Sequence, residues 1–231
     1  MLLGRKMHSS YWAAIFDLDG VLLDSEPLYS KAAEAVLSRY GKSYDFEVKQ
    51  RVMGRGAQAG ARMLVEALNL PLSPAQYLEQ RRVVLVDLLA RTPAIPWARE
   101  LVEQLGDRGC KIAVATSSER ELYELKIASH PWFERFDVVV CGDDPRLGRP
   151  KPSGDIYRLA ATSLDVPVDR CLAFEDSPAG VAAGLDAQMR VVALRDPRLD
   201  PAELAGADPI VASYDELDIA TLLGGTGSCC S

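Results

Sequence analysis

Six short apolar runs recur along the chain, at Ala13–Phe16, Ile112–Ala115, Val138–Cys141, Cys171–Phe174, Val191–Leu194 and Ile210–Val211. Runs of this length, apolar without alternation, are what strands buried on both faces look like. Between them, Ala98–Leu105, Ile156–Leu164 and Ala179–Leu185 repeat apolar residues at helical spacing. The pattern therefore predicts alternating strands and helices, with a parallel sheet covered on both sides. The stretch from Asp24 to Thr92 breaks this rhythm: it offers no convincing strand but three helix-like runs, Leu28–Tyr40, Ala57–Leu68 and Pro74–Ala90. It is punctuated by Asp24-Ser25-Glu26-Pro27 at its start and Thr92-Pro93-Ala94-Ile95-Pro96 at its end, as expected of a chain leaving and re-entering a domain. The expectation is an α/β fold with a doubly wound, Rossmann-like parallel sheet. Residues 1–23 and 93–231 form its core, and residues 24–92 form an inserted helical cap. An insert placed directly after the first strand is expected above the C-terminal edge of the sheet, where open α/β sheets bind ligands, and could act there as a lid. The last residues, Gly224 to Ser231, read as a frayed tail, because no helix follows the glycines to make a phosphate loop of them.

Composition narrows the chemistry. A length of 231 residues suits one large α/β unit or a core with an insert, and 48% hydrophobic against 26% charged residues is the balance of a folded globule. The 33 acidic and 26 basic residues leave a net charge of -7, which argues against a nucleic-acid partner. The five cysteines, Cys110, Cys141, Cys171, Cys229 and Cys230, form no C-x-x-C spacing. No disulfide framework is legible, and a reducing, cytoplasmic setting is expected. No apolar run approaches the ~18 residues of a membrane span, so no membrane partner is expected. With only His8 and His130 available, a Ser-His-Asp triad or a histidine-rich zinc site has little to draw on, and the chemistry must rest on carboxylates.

Four clusters at predicted strand ends carry that chemistry. Phe16-Asp17-Leu18-Asp19-Gly20-Val21 sets two acidic residues and a glycine after an apolar strand. Two carboxylates that close repel unless a proton or cation lies between them, which points to a divalent ion with oxygen ligands, Mg²⁺ above all. Thr116-Ser117-Ser118 follows the second long apolar run with hydroxyls and backbone N–H groups at the opening of a helix, suited to phosphate oxygens. Lys151, held between Pro150 and Pro152, can neutralise phosphate as a point charge. Glu175-Asp176-Ser177-Pro178 adds a second acidic pair after Cys171–Phe174. Each cluster alone also fits a plainer role, as a solvated turn, a helix N-cap, a surface lysine or a capping Asp or Ser before a proline. Their order and joint placement on one sheet edge are hard to explain as four separate caps.

These residues resemble the four motifs of the haloacid dehalogenase superfamily of phosphohydrolases, over about Ala14 to Leu194. The insert looks like the helical cap of subfamily I. The text is closest to pseudouridine-5′-phosphatases and plant glycerol-3-phosphatases in Phe16–Glu26, Val52-Met53-Gly54, Ala115–Ser118, Gly142-Asp143-Asp144-Pro145 and Phe174–Val181. The resemblance implies a Mg²⁺-dependent phosphomonoester hydrolase acting on a small phosphorylated metabolite, with pseudouridine 5′-phosphate or a similar nucleotide or polyol phosphate foremost. It makes Asp17 the nucleophile that forms an aspartyl-phosphate and Asp19 the acid, then the base. Lys151 and Thr116 complete the catalytic set, and Ser117 and Ser118 bind phosphate. The metal falls to the Asp17 side chain, the Asp19 carbonyl and Asp176, with Glu175 direct or through water. Tyr29, Met53, Gly54 and Arg55 of the cap are the expected substrate contacts, and the protein is expected to work as a monomer.

Three positions depart from the family text. Gln188 stands where a glycine would close a helix, which should strain a left-handed cap by ~1 kcal/mol. Trp97 stands where a glycine is common at the cap's exit. Gly154 replaces the second proline after Lys151, which should loosen that loop. The first rival reading is a β-phosphoglucomutase-like phosphotransferase. That branch carries a histidine at the cap position of Tyr29 and an arginine near Ala57, where this chain offers Tyr29 and Ala57, with Arg55 nearby. A dehalogenase would lack Asp19. A non-catalytic, phospho-accepting α/β module would not keep Asp19, whose role is to hydrolyse the intermediate.

Overall fold

The computed structural model describes residues 11–45, 48, 57–197 and 199–224, and they divide into two compact units. The first comprises Met1–Asp24, Pro93–Glu124 and His130–Ser231, and the second Ser25–Thr92 with Leu125–Ser129. In the first unit the apolar runs become strands β1 (Ala13–Phe16), β2 (Lys111–Ala115), β3 (Val138–Val140), β4 (Cys171–Glu175), β5 (Arg190–Leu194) and β6 (Ile210–Val211). They form one sheet in the order β3-β2-β1-β4-β5-β6, with every pairing parallel. All residues of β1 and β4 are buried, which is why they are apolar without alternation. On one face Phe16 stacks on Phe174 at a centroid distance of 4.3 Å. A second buried layer joins Ala13, Ile15, Ala113 and Ala173 to Tyr157, Ala160 and Val181 of the flanking helices.

The winding locates the working edge. From β1 the chain builds outward through β2 to β3, then returns to β1's other side at β4 and builds outward again through β5 to β6. The loops leaving the neighbours β1 and β4 therefore part in opposite directions, and such a switch point opens a crevice at the strands' C-terminal ends. Between β1 and β2 the chain departs at Asp24 and returns at Pro93. The excursion is closed at its base by hydrogen bonds from Asp24 N to the Pro93 carbonyl and from Ile95 N to the Leu22 carbonyl, both 2.9 Å.

The second unit contains helices α1 (Glu26–Leu37), α2 (Ala57–Leu68) and α3 (Pro74–Leu89). Its core joins Val36, Leu37, Ala61, Leu64, Leu70 and Tyr77. A single 3₁₀ turn, Ser38–Tyr40, prolongs α1. The Ser73 hydroxyl accepts from Gln76 N while the Gln76 amide accepts from Ser73 N, a capping box that starts α3. In the first unit α4 (Ala98–Asp107), α6 (Asp155–Leu164) and α7 (Pro178–Asp186) occupy the expected stretches; α5 (Arg120–Ile127) follows the Thr116–Ser118 turn, with Arg120–Glu124 counted in the first unit and Leu125–Ile127 in the second. The four-residue α8 (Ile219–Leu222), capped by the Asp218 carboxylate, is too short for its period to show in sequence.

Two of the unusual positions adopt left-handed backbone without being glycine, Trp97 at φ 64° and Gln188 at φ 63°. Gln188 closes α7 as expected: its N–H donates to the Leu185 carbonyl, and Met189 N–H reaches Gly184. Gly154 corrects the expectation of a loose loop. A Cβ there would meet Ala187 N at 2.5 Å and Ala183 O at 2.8 Å, and the Gly154 N–H donates to Asp186 at 2.7 Å, so the residue pins the lysine loop to the end of α7. Cys110, Cys141 and Cys171 are free and buried. Among the described residues no helix is long and apolar enough to cross a membrane.

Candidate active site

Asp17 is the first residue beyond β1, and its N–H donates to the carbonyl of Phe174 at 3.0 Å. Sheet pairing thus continues far enough to set Asp17 beside Glu175 at the end of β4. Lys151 bridges them, with Nζ 2.6 Å from Asp17 Oδ1 and 2.5 Å from Glu175 Oε1. Glu175 is almost fully buried, and all four of its near donors are internal. Oε1 takes Lys151 and the Tyr157 hydroxyl at 2.6 Å, while Oε2 takes Asp176 N at 3.2 Å and Ser177 Oγ at 3.3 Å. Ser177 also caps α7 by accepting from Gly180 N at 3.0 Å.

Two glycines make room for these charges. A Cβ at Gly20, whose φ is 82°, would fall inside the Asp176 carboxylate, and one at Gly180 would fall inside that of Glu175. On β2's side of β1, Thr116 is fully buried and its Oγ1 accepts from Ser118 N at 3.1 Å. The Ser118 hydroxyl donates to Asp19 Oδ2 at 2.9 Å. Ser117 is exposed, and its carbonyl lies so close to Gly142 that a Cβ there would overlap it.

The electrostatics of the pocket are one-sided. Burial, reinforced by Glu175 and Asp19 and opposed by Lys151, pushes the Asp17 carboxyl up to about 7. Burial, with Asp17 and Glu175, pushes Asp176 up to about 8. Burial alone would lower Lys151, but Asp17 and Glu175 outweigh it and raise it. One ammonium thus faces three buried or half-buried carboxylates, and the arrangement lacks positive charge. Asp17, Glu175 and Asp176 each offer an oxygen within 4.8 Å of the others. An all-oxygen set of this kind fits a hard divalent cation such as Mg²⁺. Glu175, both of whose oxygens are already engaged, suits an outer position better than a direct one.

The structure thus brings together Asp17, Asp19, Thr116, Ser118, Lys151, Glu175 and Asp176 within the first unit. Tyr29 belongs to the second unit, where the ammonium of the fully buried Lys126 lies 5.3 Å from the centroid of its ring. Met53, Gly54 and Arg55 lie outside the described residues. Tyr157 was not foreseen. In sequence it is one apolar position of an amphipathic helix, and the available signal was a phenol placed six residues after Lys151, where the helix's inner face calls for a plain hydrocarbon.

Comparison with known proteins is consistent with this geometry. The sequence model of one family, described as haloacid dehalogenase-like hydrolase, matches residues 12–188. The chain is 40% identical over 203 residues to a Drosophila melanogaster protein named Probable pseudouridine-5′-phosphatase, covering 86% of this chain and 88% of that one. It is 38% identical over 205 residues to (DL)-glycerol-3-phosphatase 2 of Arabidopsis thaliana, covering 86% and 85%. The crystal structure of a HAD family hydrolase from Deinococcus radiodurans R1, with bound phosphate and sodium, matches at a TM-score of 0.78 and 28% identity, covering 94% of this chain and 97% of that one.

Proposed function

The chain belongs to the haloacid dehalogenase-like hydrolases and is a phosphatase of that family, and on that premise we propose that it hydrolyses a small phosphorylated metabolite through a phosphoryl group carried on Asp17. The observation that carries the reading is the buried Asp17 carboxylate at the β1–β4 switch point, held by Lys151 at 2.6 Å with Asp176 beside it. In the proposed first half-reaction an Asp17 oxygen bonds to phosphorus while the bond to the leaving oxygen breaks. That oxygen keeps the electron pair and takes a proton from Asp19. In the second, water attacks the phosphoryl group, Asp19 takes the water's proton, and Asp17 is released with inorganic phosphate. Thr116 Oγ1 accepts from Ser118 N, so its own proton is left to donate to a phosphate oxygen, and Lys151 adds its fixed charge. A bound Mg²⁺, held by the Asp17 and Asp176 carboxylates and the Asp19 carbonyl with Glu175 behind them, would supply positive charge toward the substrate and keep Asp17 ionised.

Pseudouridine 5′-phosphate or a related nucleotide or polyol phosphate is the proposed substrate, supported by the names of the two relatives above. Residues of the helical cap at 24–92, Tyr29, Met53, Gly54 and Arg55 among them, are proposed to choose the leaving group. Cys110, Cys141 and Cys171, buried and unlinked, suit a reducing cytoplasm, and monomeric action is part of the same reading. The test is phosphate release from pseudouridine 5′-phosphate, uridine 5′-phosphate, glycerol 3-phosphate, flavin mononucleotide and β-glucose 1-phosphate, with and without Mg²⁺. One strongly preferred, metal-dependent substrate is expected, and the Asp17→Asn variant should be folded and silent. Turnover surviving in Asp17→Asn would sink the mechanism. Isomerisation of glucose 1-phosphate without phosphate release would replace it with the mutase reading.

A further inference from the structure

Lys151 reaches its partners from a loop that gives it little support of its own. Its Nζ is held between Asp17 and Glu175 at 2.6 and 2.5 Å. Pro150 and Pro152 on either side are exposed and bring no N–H to anchor the backbone. The anchor is Asp155, the first residue of α6. Ahead of the lysine, Asp155 Oδ2 accepts from the Arg149 N–H at 3.0 Å; beyond it, Oδ1 accepts from the Ser153 hydroxyl at 2.8 Å. One carboxylate thus closes the loop from both sides of Lys151. The fit is tight, because a Cβ at Gly148 would lie 2.8 Å from Asp155 Oδ2. Arg158 ties this anchor to a second one. Its Nη1 lies 3.1 Å from Asp155 Oδ1 and its Nη2 3.0 Å from Asp186 Oδ2, the oxygen that also accepts from Gly154 N.

We infer that Asp155 is a positioning residue for Lys151: it fixes the backbone from which the ammonium is presented to Asp17 and to the phosphoryl oxygens. The inference rests on the reading of Lys151 as the fixed charge of a phosphatase site. A lysine is a point charge on a long flexible stem, so the place of its head depends on the place of its backbone. Once the loop is released, Nζ can follow Glu175, whose Oε1 is also held by the Tyr157 hydroxyl at 2.6 Å, and draw away from Asp17. The ammonium then stays buried and paired but no longer faces the transferring group, and misplacements of this kind are expensive in rate. The Arg149 side chain also reaches Asp155, with Nε and Nη2 both at 3.3 Å. It does so from the surface, where an ion pair contributes little, and the Arg149 N–H keeps its bond to Asp155 whatever side chain stands there.

The experiment compares wild type, Asp155→Ala, Asp155→Asn and Arg149→Ala in the hydrolysis of p-nitrophenyl phosphate with Mg²⁺ present. Inhibition by inorganic phosphate and thermal unfolding are read on the same preparations. Asp155→Ala is expected to lower kcat/KM by more than about tenfold and to weaken inhibition by phosphate severalfold, because both depend on the ammonium. Asp155→Asn matches the shape but gives up one acceptor oxygen, so it should lose at least about threefold in kcat/KM, with phosphate weakened in the same direction. It carries the test if the alanine variant does not fold. Arg149→Ala should stay within about twofold of wild type in both quantities. A folded variant at Asp155 that keeps both quantities within about twofold would overturn the inference. So would a loss of rate with phosphate inhibition unchanged, which would place the effect away from Lys151, or a loss in Arg149→Ala as large as that in Asp155→Ala. A wild-type protein that releases no phosphate from any ester would instead remove the functional reading itself, so the two failures are told apart in one assay.

Discussion

Tyr157 donates to the same Glu175 oxygen that Lys151 approaches, at 2.6 and 2.5 Å. Removing its hydroxyl leaves a buried, charged acceptor one donor short and frees Lys151 to shift toward Glu175 and away from Asp17. Tyr157→Phe is therefore expected to destabilise the fold by about 1–2 kcal/mol and to lower kcat severalfold with little change in KM. Calorimetry and steady-state kinetics on one preparation would check both. Gly180→Ala acts on the same carboxylate by volume, because the new methyl would occupy the space of Glu175. A loss of about 1–3 kcal/mol from overpacking is expected, together with near-complete loss of turnover, and retention of activity would show that Glu175 can move without consequence. Asp17, Asp19, Glu175 and Asp176 were legible in the sequence because charged residues at the ends of apolar strands are conspicuous, and Lys151 because it is held between Pro150 and Pro152. Tyr157 was not, nor was the reason that Gly20 and Gly180 carry no side chain. A phenol on the inner face of a helix looks like core, and the need for a missing side chain appears only when the neighbouring carboxylate is in place.

Each of the six apolar runs forms a strand, and the differences from the expected bounds lie at the strand ends. Lys111 and Arg190 begin β2 and β5, although their polarity argues against a buried strand. Both are accommodated by acceptors outside their strands: Lys111 reaches the Leu164 carbonyl at 2.5 Å, and Arg190 the Asp208 carbonyl at 2.9 Å. Helix ends depend on such local partners, which apolar spacing does not encode. At the end of α7, Gln188 sits at φ 63°, a conformation in which a side chain crowds its own backbone. Gln188→Gly is expected to stabilise the protein by about 1 kcal/mol, read as a raised midpoint in urea unfolding at unchanged slope. A lower midpoint would mean that the glutamine side chain makes a contact worth more than the strain.

Across the whole molecule the clustered carboxylates set a pH dependence of stability. Asp17 and Asp176 titrate at about 7 and about 8 in the folded protein, against 3.8 for an unperturbed aspartate. Below 3.8 both states hold these protons. Above it the unfolded chain releases them while the native state keeps them, so the native state binds more protons and its stability falls with rising pH until both groups have ionised. The metal-free protein is expected to lose melting temperature between about pH 4 and about pH 8 and then to level off. Mg²⁺, attracted only by the ionised cluster, should raise the melting temperature more at the upper end of that range than at the lower. Chelation with EDTA should abolish turnover and Mg²⁺ should restore it. An equal melting shift at both pH values would place the cation elsewhere.

Asp17 and Glu175 lie side by side because Phe16 and Phe174 are partners in register and the Asp17 N–H donates to the Phe174 carbonyl at 3.0 Å. The interval between the two carboxylates is therefore written in main-chain pairing, which is the same whatever side chains the strands carry. It behaves as a ruler that mutation can hardly recalibrate. A descendant of this chain could exchange the residues that select its substrate many times over while the spacing of its charges stayed fixed. Laboratory evolution for a new phosphate ester should accordingly accumulate changes in loops and in the helical segment, and leave β1 and β4 untouched.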